Sequence, residues 1–441
     1  MVDLSRQISV DVLSSFDVNY NQLTVVLNKV FSKHGLSISK QQRSRVIVNE
    51  VIRRRGILDY IIEKCSSKKI ENIQPKLRAI IRVGCYELLF DDVTPSFAAI
   101  HSAVELGKRS INKKAGSMVN AVLRNIQREQ QKNSGWSESI INNRPELAFP
   151  SWLIQKWNRQ FGSDVTKKLS MHFLKNPPMF LRVNETLLEI SKAIDLLEQS
   201  EISTKPNKDF SNFLEVTNGQ NKVLDTDLFR AGMISIQDPA AGAVVNLIDP
   251  QKGESILDVC ASPGTKSLFM AHKVGPSGII FSSDVNEDRV DKGKSDIKRH
   301  KCNNIKWSIL DATKDNFPLS KKILIDAPCT GTGVIGRKPD IKWRIKKKDI
   351  KILKDLQLSI LNHMSNFLLP GGKMVYATCS LEPEENKILV KQFLSSHKDF
   401  SLSPSNSLLP KHWVDSDGFL VTMPYKTKSD GLFGAVLLKK E

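Results

Sequence analysis

Residues 253–284 have the sequence GESILDVCASPGTKSLFMAHKVGPSGIIFSSD, in which two strand-length apolar runs flank a helix-length stretch. Three further apolar runs follow it: NIKWSILD, KKILIDAPC and GGKMVYATCS. Apolar runs that alternate with helical sequence are typical of a parallel sheet with crossover helices. We therefore predict an α/β domain over 246–441, which ends in two alternating runs, GFLVTMPYKTKSDGLFGAVLLKK, that predict an antiparallel hairpin at the sheet edge.

An aspartate stands at or near the carboxyl end of each of the first four runs. These residues are Asp258, Asp284, Asp311 and Asp326. Ligands of open α/β sheets bind outside the carboxyl ends of the strands, so we expect the four carboxylates to converge on one crevice. The alternative is that they are unrelated helix caps, which fits one or two of them better than four.

The turn after the first run, DVCASPGTKS, indicates what the crevice binds. It lacks both G-x-G-x-x-G and the Walker spacing, so neither a dinucleotide nor a nucleoside triphosphate is its natural occupant. Asp284 is placed to accept hydrogen bonds from a ribose diol, and Asp311 from an exocyclic amine such as that of adenine. A ribose and an adenine without phosphates describe S-adenosylmethionine, although the same acidic position serves NAD in other proteins.

Two cysteines end apolar runs near the predicted crevice, Cys329 in APCTGTG and Cys379 in ATCSLEPEEN. Small buried cysteines are common, but placement in loops favours a functional role. A thiolate that adds to C6 of a pyrimidine makes C5 nucleophilic toward an electrophilic methyl group. Asp326, three residues before Cys329, is in position to hydrogen-bond or protonate N3 of the ring. This chemistry explains one cysteine and an acid, but not a second cysteine.

The first part of the chain has helical periodicity, for example in QPKLRAIIRVGCYELLF, and predicts an all-helical domain over 1–140. The polar stretch at 128–146 is predicted to be a linker. After it, a short amphipathic helix and further strand-like and helical runs predict a small α+β module over 145–245.

The charge balance favours a polyanionic partner. The 441 residues include 65 Lys and Arg against 47 Asp and Glu, a net charge of +18, and half of this excess falls in the first 150 residues. Solubility alone is the alternative explanation. The six cysteines form neither a C-x-x-C pair nor a zinc pattern with the eight histidines, so we expect no metal. Without a secretory or membrane-length apolar run, we expect a cytoplasmic protein with reduced thiols.

One basic segment, GRKPDIKWRIKKKDIKILK at 336–354, contains nine Lys and Arg residues around a tryptophan. Such a segment suits phosphate contacts with a ring for base stacking. We therefore expect Arg337, Lys338, Lys342 and Trp343 to contact RNA, while a solvated helix face is the alternative for the later lysines.

The motifs together resemble those of RNA 5-methylcytosine methyltransferases, most closely the RsmB (Sun/Fmu) family, over essentially the whole chain. LDVCASPGTKS is similar to CAAPGGKT, DAPCTGTG to DAPCSGTG, RKPDIKW to RxxPDIKW, and YATCSLEPEEN to YxTCSxxPxEN. The helical front, with LRVGCYELLF, AVELGKR and VNAVLRNI, is similar to the NusB fold. Two departures are Ser262 in place of the usual alanine and Thr265 in place of the usual glycine.

The resemblance implies a NusB-like domain, an RRM-like module and a Rossmann-like methyltransferase domain. It implies methyl transfer from S-adenosylmethionine to C5 of a cytosine in 16S ribosomal RNA. Because the cytosine must leave its stack to react, we expect the enzyme to act before subunit assembly hides the target, and we expect a monomer. Cys379 would be the nucleophile, Cys329 would assist product release and Asp326 would contact N3. Cytosine DNA methyltransferases use the PC-motif cysteine as nucleophile, so the presence of both cysteines points to RNA. The residues expected to contact the cofactor are Cys260, Ala261, Ser262, Pro263, Gly264, Thr265, Lys266, Asp284, Asp311 and Asp326.

Two other functions would fit parts of the sequence. An RNA chaperone or antitermination factor could keep the helical front and lose catalysis, but the intact cysteine pair with Asp326 argues against this. An NAD-linked oxidoreductase would need a G-x-G-x-x-G turn, which the sequence lacks.

Overall fold

The computed structural model describes residues 3–35 and 37–441 and divides into two compact units. The first contains the residues up to Asn176 together with Ile335–Lys347. The second contains Pro177–Val334 and Lys348–Glu441. In the described part of the chain, no helix combines the length and apolar character that crossing a bilayer requires.

The first unit is helical, as predicted. Pro75 occupies the first turn of its helix, where a missing N–H costs nothing, and Asp3 caps the first helix by accepting from the Ser5 N–H. The helices are α1 Leu4–Asn19, α2 Leu23–His34, α3 Ile38–Ser66, α4 Pro75–Leu89, α5 Ser96–Ser110, α6 Lys113–Lys132, α7 Trp136–Asn143, α8 Ser151–Phe161 and α9 Ser163–Leu174.

The linker predicted at 128–146 is wrong. Helix α6 continues to Lys132 and α7 follows at once, anchored by Trp136, whose side chain is buried. Helices α8 and α9 also belong to the first unit, although the predicted α+β module begins at 145. The reason is a cluster of aromatic rings, Phe149, Trp157 and Phe173, that buries these helices in the helical unit.

The segment Ile335–Lys347, which interrupts the second unit in sequence, packs within the helical unit. It contains the short helix α15 Ile341–Arg344. The Arg53 guanidinium donates to the Gly336 carbonyl at 2.7 Å, and the Trp343 indole donates to the Ile52 carbonyl at 3.0 Å. We refer to 335–347 as the inserted segment.

The second unit begins with an antiparallel four-stranded sheet of order β2-β3-β1-β4, the arrangement expected for an RRM-like module. Its strands alternate with helices in the ferredoxin-like order. The elements are β1 Met179–Val183, α10 Ile190–Gln199, β2 Thr204–Pro206, β3 Phe213–Val216, α11 Asp227–Arg230, β4 Ile234–Ile236 and α12 Pro239–Ile248.

The remainder forms the predicted α/β domain around a sheet of order β10-β12-β9-β8-β5-β6-β7. All five predicted runs are parallel neighbours, and β12 is antiparallel to β9, β10 and β11, which confirms the terminal hairpin. The elements are β5 Ser255–Val259, α13 Thr265–Val274, β6 Ile279–Asp284, α14 Glu287–His300, β7 Ile305–Ile309, β8 Ser320–Asp326, α16 Lys347–Met364, β9 Leu368–Thr378, α17 Lys387–Ser396, β10 Phe400–Ser403, β11 Leu420–Val421, α18 Pro424–Thr427 and β12 Phe433–Lys439.

Candidate active site

The crevice lies where the strand order of the large sheet reverses. From β5 the chain runs outward to β6 and β7 on one side and to β8 and β9 on the other. Ligands of open parallel sheets bind at this switch point, outside the carboxyl ends. Asp258, Asp284 and Asp326 lie at the carboxyl ends of β5, β6 and β8, while Cys329 and Cys379 follow β8 and β9.

The turn from β5 into α13 is tight. Its backbone has positive φ at Cys260 (59°) and Gly264 (96°). A Cβ on Gly264 would lie 2.8 Å from the Trp307 ring, so glycine is required there for space as well as for conformation. Thr265, which replaces the usual glycine of the family motif, is the first residue of α13 and does not take the positive φ. Burial raises the pKa of the Cys260 thiol well above its usual range, so this cysteine is a poor nucleophile.

Asp258 is completely buried at the end of β5. Its Oδ2 accepts a hydrogen bond of 2.5 Å from the Ser267 hydroxyl, whereas its Oδ1 has no partner among the described residues. Burial raises the pKa of Asp258 to about 7, although the Ser267 hydrogen bond opposes the shift. An unpartnered buried carboxylate oxygen is costly, so this atom favours a ligand with a donor group.

Other buried polar atoms at the same edge of the sheet also lack partners within the part of the chain that the structure describes. Besides Asp258 Oδ1, they are Ser262 Oγ, Ser283 Oγ and Trp307 Nε1. Asp284 accepts from the backbone N–H of Ser262 at 3.3 Å and of Asn286 at 3.0 Å, which fixes its carboxylate at the end of β6. Unsatisfied polar atoms beside a glycine that allows close approach fit a small polar ligand such as the methyl donor predicted from the sequence.

Asp311 lies two residues beyond β7, and the Thr313 hydroxyl and N–H both donate to its Oδ1. The Thr313 hydroxyl hydrogen bond lowers the pKa of Asp311. Two apolar side chains at the ends of β6 and β7 are unusually exposed, Val285 at 68% and Ile309 at 49%. Exposed apolar surface beside a polar crevice is suited to a flat ring of a ligand.

Lys266 and Asp326 form an ion pair with a distance of 2.5 Å between Nζ and Oδ2. Burial works against the charge on Lys266, but the attraction to Asp326 outweighs it and raises the pKa of Lys266. The pair therefore keeps a proton beside Asp326, the carboxylate that is predicted from the sequence to contact N3 of the substrate base.

The two predicted cysteines lie together, with 3.3 Å between Cys329 Sγ and Cys379 Sγ. Both are reduced and partly exposed. The hydrogen bond to Cys379, together with burial, raises the pKa of Cys329 well above its usual range. Their loops are joined directly, because the Gly333 N–H donates to the Cys379 carbonyl at 2.9 Å.

The structure corrects the predicted RNA contacts of the inserted segment. Lys342 is fully buried in the first unit, where its Nζ amino group donates to the Arg53 carbonyl at 2.8 Å, so the prediction that it contacts RNA is wrong in this structure. Trp343 is partly buried, and its indole N–H is used by the Ile52 carbonyl. Arg337 is partly buried and Lys338 is exposed, so Lys338 remains accessible to RNA.

Sequence reasoning missed two residues of the site, Ser267 and Glu385. Ser267 holds the buried Asp258, and Glu385 hydrogen-bonds both cysteine loops. Glu385 stands six residues after Cys379 within YATCSLEPEEN, so an acid in the loop that follows a strand-end cysteine was the available signal. Within residues 3–35 and 37–441, no group of three or more His, Cys, Asp or Glu residues is arranged to hold a metal.

Family models match most of the chain in three consecutive regions. Residues 3–128 match the NusB family, 149–221 match the RsmF/B-like ferredoxin-like domain, and 245–438 match the 16S rRNA methyltransferase RsmB/F model. These regions have the order of the domains found in the structure.

Individual proteins are also similar, over about two thirds to almost all of this chain. A probable ribosomal RNA small subunit methyltransferase B of Bacillus subtilis is 30% identical over 99% of this chain and 98% of its own. Among solved structures, PH0851 has a TM-score of 0.79 at 24% identity and covers 99% of both chains. NSun6 from Pyrococcus horikoshii, solved with SFG, has a TM-score of 0.58 at 20% identity over 66% of this chain and 99% of its own.

Proposed function

Because this chain belongs to the ribosomal RNA small subunit methyltransferase B family, we propose that it methylates C5 of a cytosine in 16S ribosomal RNA through a covalent Cys379–C6 bond. S-adenosylmethionine-dependent methylation of small-subunit ribosomal RNA is the activity of the family. The choice of C5 and of a covalent route rests on one observation, the two thiols 3.3 Å apart beside the crevice.

The residues at the carboxyl ends of β5 and β6 fit S-adenosylmethionine. Asp258, with its unpartnered oxygen, would accept from the amino group of the methionine part, and Asp284 would accept from the ribose hydroxyls. Asp311 would accept from the adenine amine, and the turn 260–266 would lie along the ligand. When bound, the cofactor supplies an electrophilic methyl carbon.

The two thiols have different protonation states in this proposal. The raised pKa of Cys329 keeps its proton on sulfur, so Cys329 donates its S–H toward Cys379. Cys379 then carries the thiolate that adds to C6 of the cytosine, forming a carbon–sulfur bond and making C5 nucleophilic. This division gives the second cysteine the role that the sequence alone left unexplained.

The Lys266–Asp326 pair would assist the addition at the opposite side of the ring. Negative charge develops on the cytosine ring as the sulfur adds, and a proton held on this pair can stabilise that charge at N3. Asp326 is the base contact and Lys266 is the source of the proton and positive charge.

Release is an elimination. After methylation, the C5 proton passes to water, the electron pair of the C5–H bond forms the C5–C6 double bond, and the Cys379–C6 bond breaks with its electron pair on sulfur. Cys329, 3.3 Å from the leaving sulfur, can donate a proton to it and so favours departure. Loss of Cys329 would therefore slow release more than addition.

The substrate cytosine must leave its base stack to reach Cys379. Enzymes that react with ring carbons act on single-stranded or flipped bases, so the target would be an accessible cytosine of the RNA before subunit assembly covers it. The net charge of +18 suits such an RNA.

The function is tested with purified protein, labelled S-adenosylmethionine and an unmodified 16S transcript, followed by bisulfite sequencing of the product. We expect 5-methylcytosine with the wild type and none with Cys379→Ala. Cys329→Ala should accumulate a protein–RNA adduct that survives a denaturing gel. Cys302→Ala is the matched control, because Cys302 precedes β7 at the amino end of the sheet, whereas the crevice residues lie at the carboxyl ends of the strands, and it should behave as the wild type. Methylation at a position other than C5, or full activity of Cys379→Ala, would overturn the proposal.

A further inference from the structure

A single buried carboxylate, that of Glu385, contacts both cysteine loops. The Glu385 side chain is inaccessible to solvent. Its Oε1 accepts from the Thr330 N–H at 2.9 Å, and its Oε2 accepts from the hydroxyls of Thr330 and Ser380, each at 2.5 Å. Thr330 directly follows Cys329 and Ser380 directly follows Cys379, so the carboxylate fixes the residue next to each sulfur.

Gln357 of helix α16 completes this arrangement. Its amide Nε2 donates to Glu385 Oε1 at 2.9 Å and to the Pro328 carbonyl at 2.8 Å. Pro328 and Thr330 flank Cys329, so Gln357 and Glu385 together hold the backbone on both sides of this cysteine. None of these hydrogen bonds to the Glu385 carboxylate comes from the cofactor turn at 260–266.

The chemistry of the donors explains how Glu385 can constrain the positions of both cysteine loops. These hydrogen-bond donors are all neutral, so the negative charge is held by hydrogen bonds alone. A buried carboxylate is costly unless every donor is well placed, and charge-assisted hydrogen bonds are shorter and stronger than neutral ones. The carboxylate therefore keeps all of its hydrogen bonds only when both loops occupy the positions that bring the two sulfurs together.

We propose that Glu385 is a positioning residue that holds Cys329 and Cys379 in their reactive arrangement, an inference that rests on the proposed function. Its carboxylate is fully buried and is hydrogen-bonded to Thr330, Ser380 and Gln357, so its role is to position the cysteines. A displacement of about 1 Å at a reacting group can reduce a rate by about 100-fold, so loss of this constraint should lower the rate of the chemical step and leave cofactor binding unchanged.

Three variants separate this role from a general effect on folding. Glu385→Ala removes both constraints. Glu385→Gln keeps the shape, and the hydroxyls of Thr330 and Ser380 can rotate to accept from its amide. Tyr376→Phe is the matched control, because it removes the bond from the Tyr376 hydroxyl to the Glu385 backbone carbonyl and leaves the carboxylate intact.

The measurements are the single-turnover rate of methyl transfer to the 16S transcript and the calorimetric affinity for S-adenosylhomocysteine. We expect Glu385→Ala to lower the rate by about 100-fold with the affinity within about threefold of wild type. The rate of Glu385→Gln should be at least about tenfold higher than that of Glu385→Ala. The rate of Tyr376→Phe should be within about threefold of the wild-type rate.

Equal rates for Glu385→Ala and Tyr376→Phe would overturn the positioning role, as would a parallel loss of cofactor affinity. If Glu385→Ala does not fold by near-ultraviolet circular dichroism, Ser380→Ala decides the question. It removes one donor from the carboxylate and should lower the rate by about tenfold, whereas a wild-type rate would overturn the proposal. A wild type that forms no 5-methylcytosine would instead refute the proposed function, so the two failures are distinguishable.

Discussion

At the scale of single residues, the environment of each group decides its chemistry. Cys260, Cys329 and Cys379 are all close to the crevice, yet burial suppresses ionisation of Cys260, and the hydrogen bond to Cys379 does so for Cys329. Sequence alone could predict that strand-end carboxylates and thiols converge, because parallel strands share one carboxyl edge. It could not predict protonation, which depends on burial and on neighbours distant in the chain.

Asp258→Asn tests how burial sets the protonation of the carboxyl group at the end of β5. In the unliganded wild type, the pKa of Asp258 is raised to about 7, so the folded protein holds an extra proton between the unfolded value of 3.8 and about 7 and gains stability as the pH falls through this range. A cationic amino group on the cofactor requires the ionised carboxylate. We therefore expect the affinity for S-adenosylhomocysteine to rise between about pH 6 and about pH 8 in the wild type and to be lower and nearly independent of pH in the variant. Calorimetry over this range measures both, and an identical pH dependence in the two proteins would contradict the assignment.

At the scale of elements, the turn 260–264 and the inserted segment show where sequence patterns succeed and fail. The turn is predictable from its position after the first strand, because backbone conformation there is locally determined. The inserted segment is not, since its lysines suggest a solvated surface while the structure buries Lys342 among Arg53, Phe149 and Trp343. The inserted segment is held by hydrogen bonds to residues more than 280 positions away in the sequence, and no local pattern predicts these bonds.

Gly264→Ala tests the turn. A Cβ at this position would lie 2.8 Å from the Trp307 ring and would also be strained by the φ of 96°. We expect the affinity for S-adenosylhomocysteine to fall by at least about tenfold, which corresponds to about 1.4 kcal/mol. Gly275→Ala is the matched control, because Gly275 also has a positive φ of 69°, but a Cβ added there would meet no described atom within 4 Å. An equal loss of affinity in both variants would show that backbone strain, rather than the Trp307 contact, is responsible.

Lys342→Met tests the inserted segment. Burial, and then the charges of Arg53 and Arg54, lower the pKa of Lys342 well below its usual value of 10.5. Between this lowered pKa and 10.5 the unfolded state therefore binds a proton that the folded state does not, so the stability contributed by this site rises with pH over that interval. We expect the free energy of unfolding to increase from about pH 7 to about pH 9 in the wild type and to increase less in the variant. Urea unfolding followed by circular dichroism measures this difference, and parallel pH profiles would show that Lys342 remains charged in the fold.

At the scale of the whole molecule, the order of the three domains is predictable from the sequence. The residues at which each domain begins and ends are less predictable. Periodicity distinguishes the helical front from the α/β domain, because each element type imposes its own spacing of apolar residues. Aromatic packing and long-range hydrogen bonds place α8, α9 and the inserted segment in the first unit. Residues that act through such contacts, Glu385 above all, become visible only once the chain is folded.

Mapping the covalent adduct tests whether Cys379 bonds to the cytosine while Cys329 releases it. The Cys329→Ala protein is incubated with S-adenosylmethionine and the 16S transcript, digested with protease and nuclease, and the peptide that carries a nucleotide is sequenced by mass spectrometry. We expect a methylated cytosine attached to the peptide that contains Cys379. A nucleotide on any other residue, or no adduct in a protein that still methylates RNA, would contradict it.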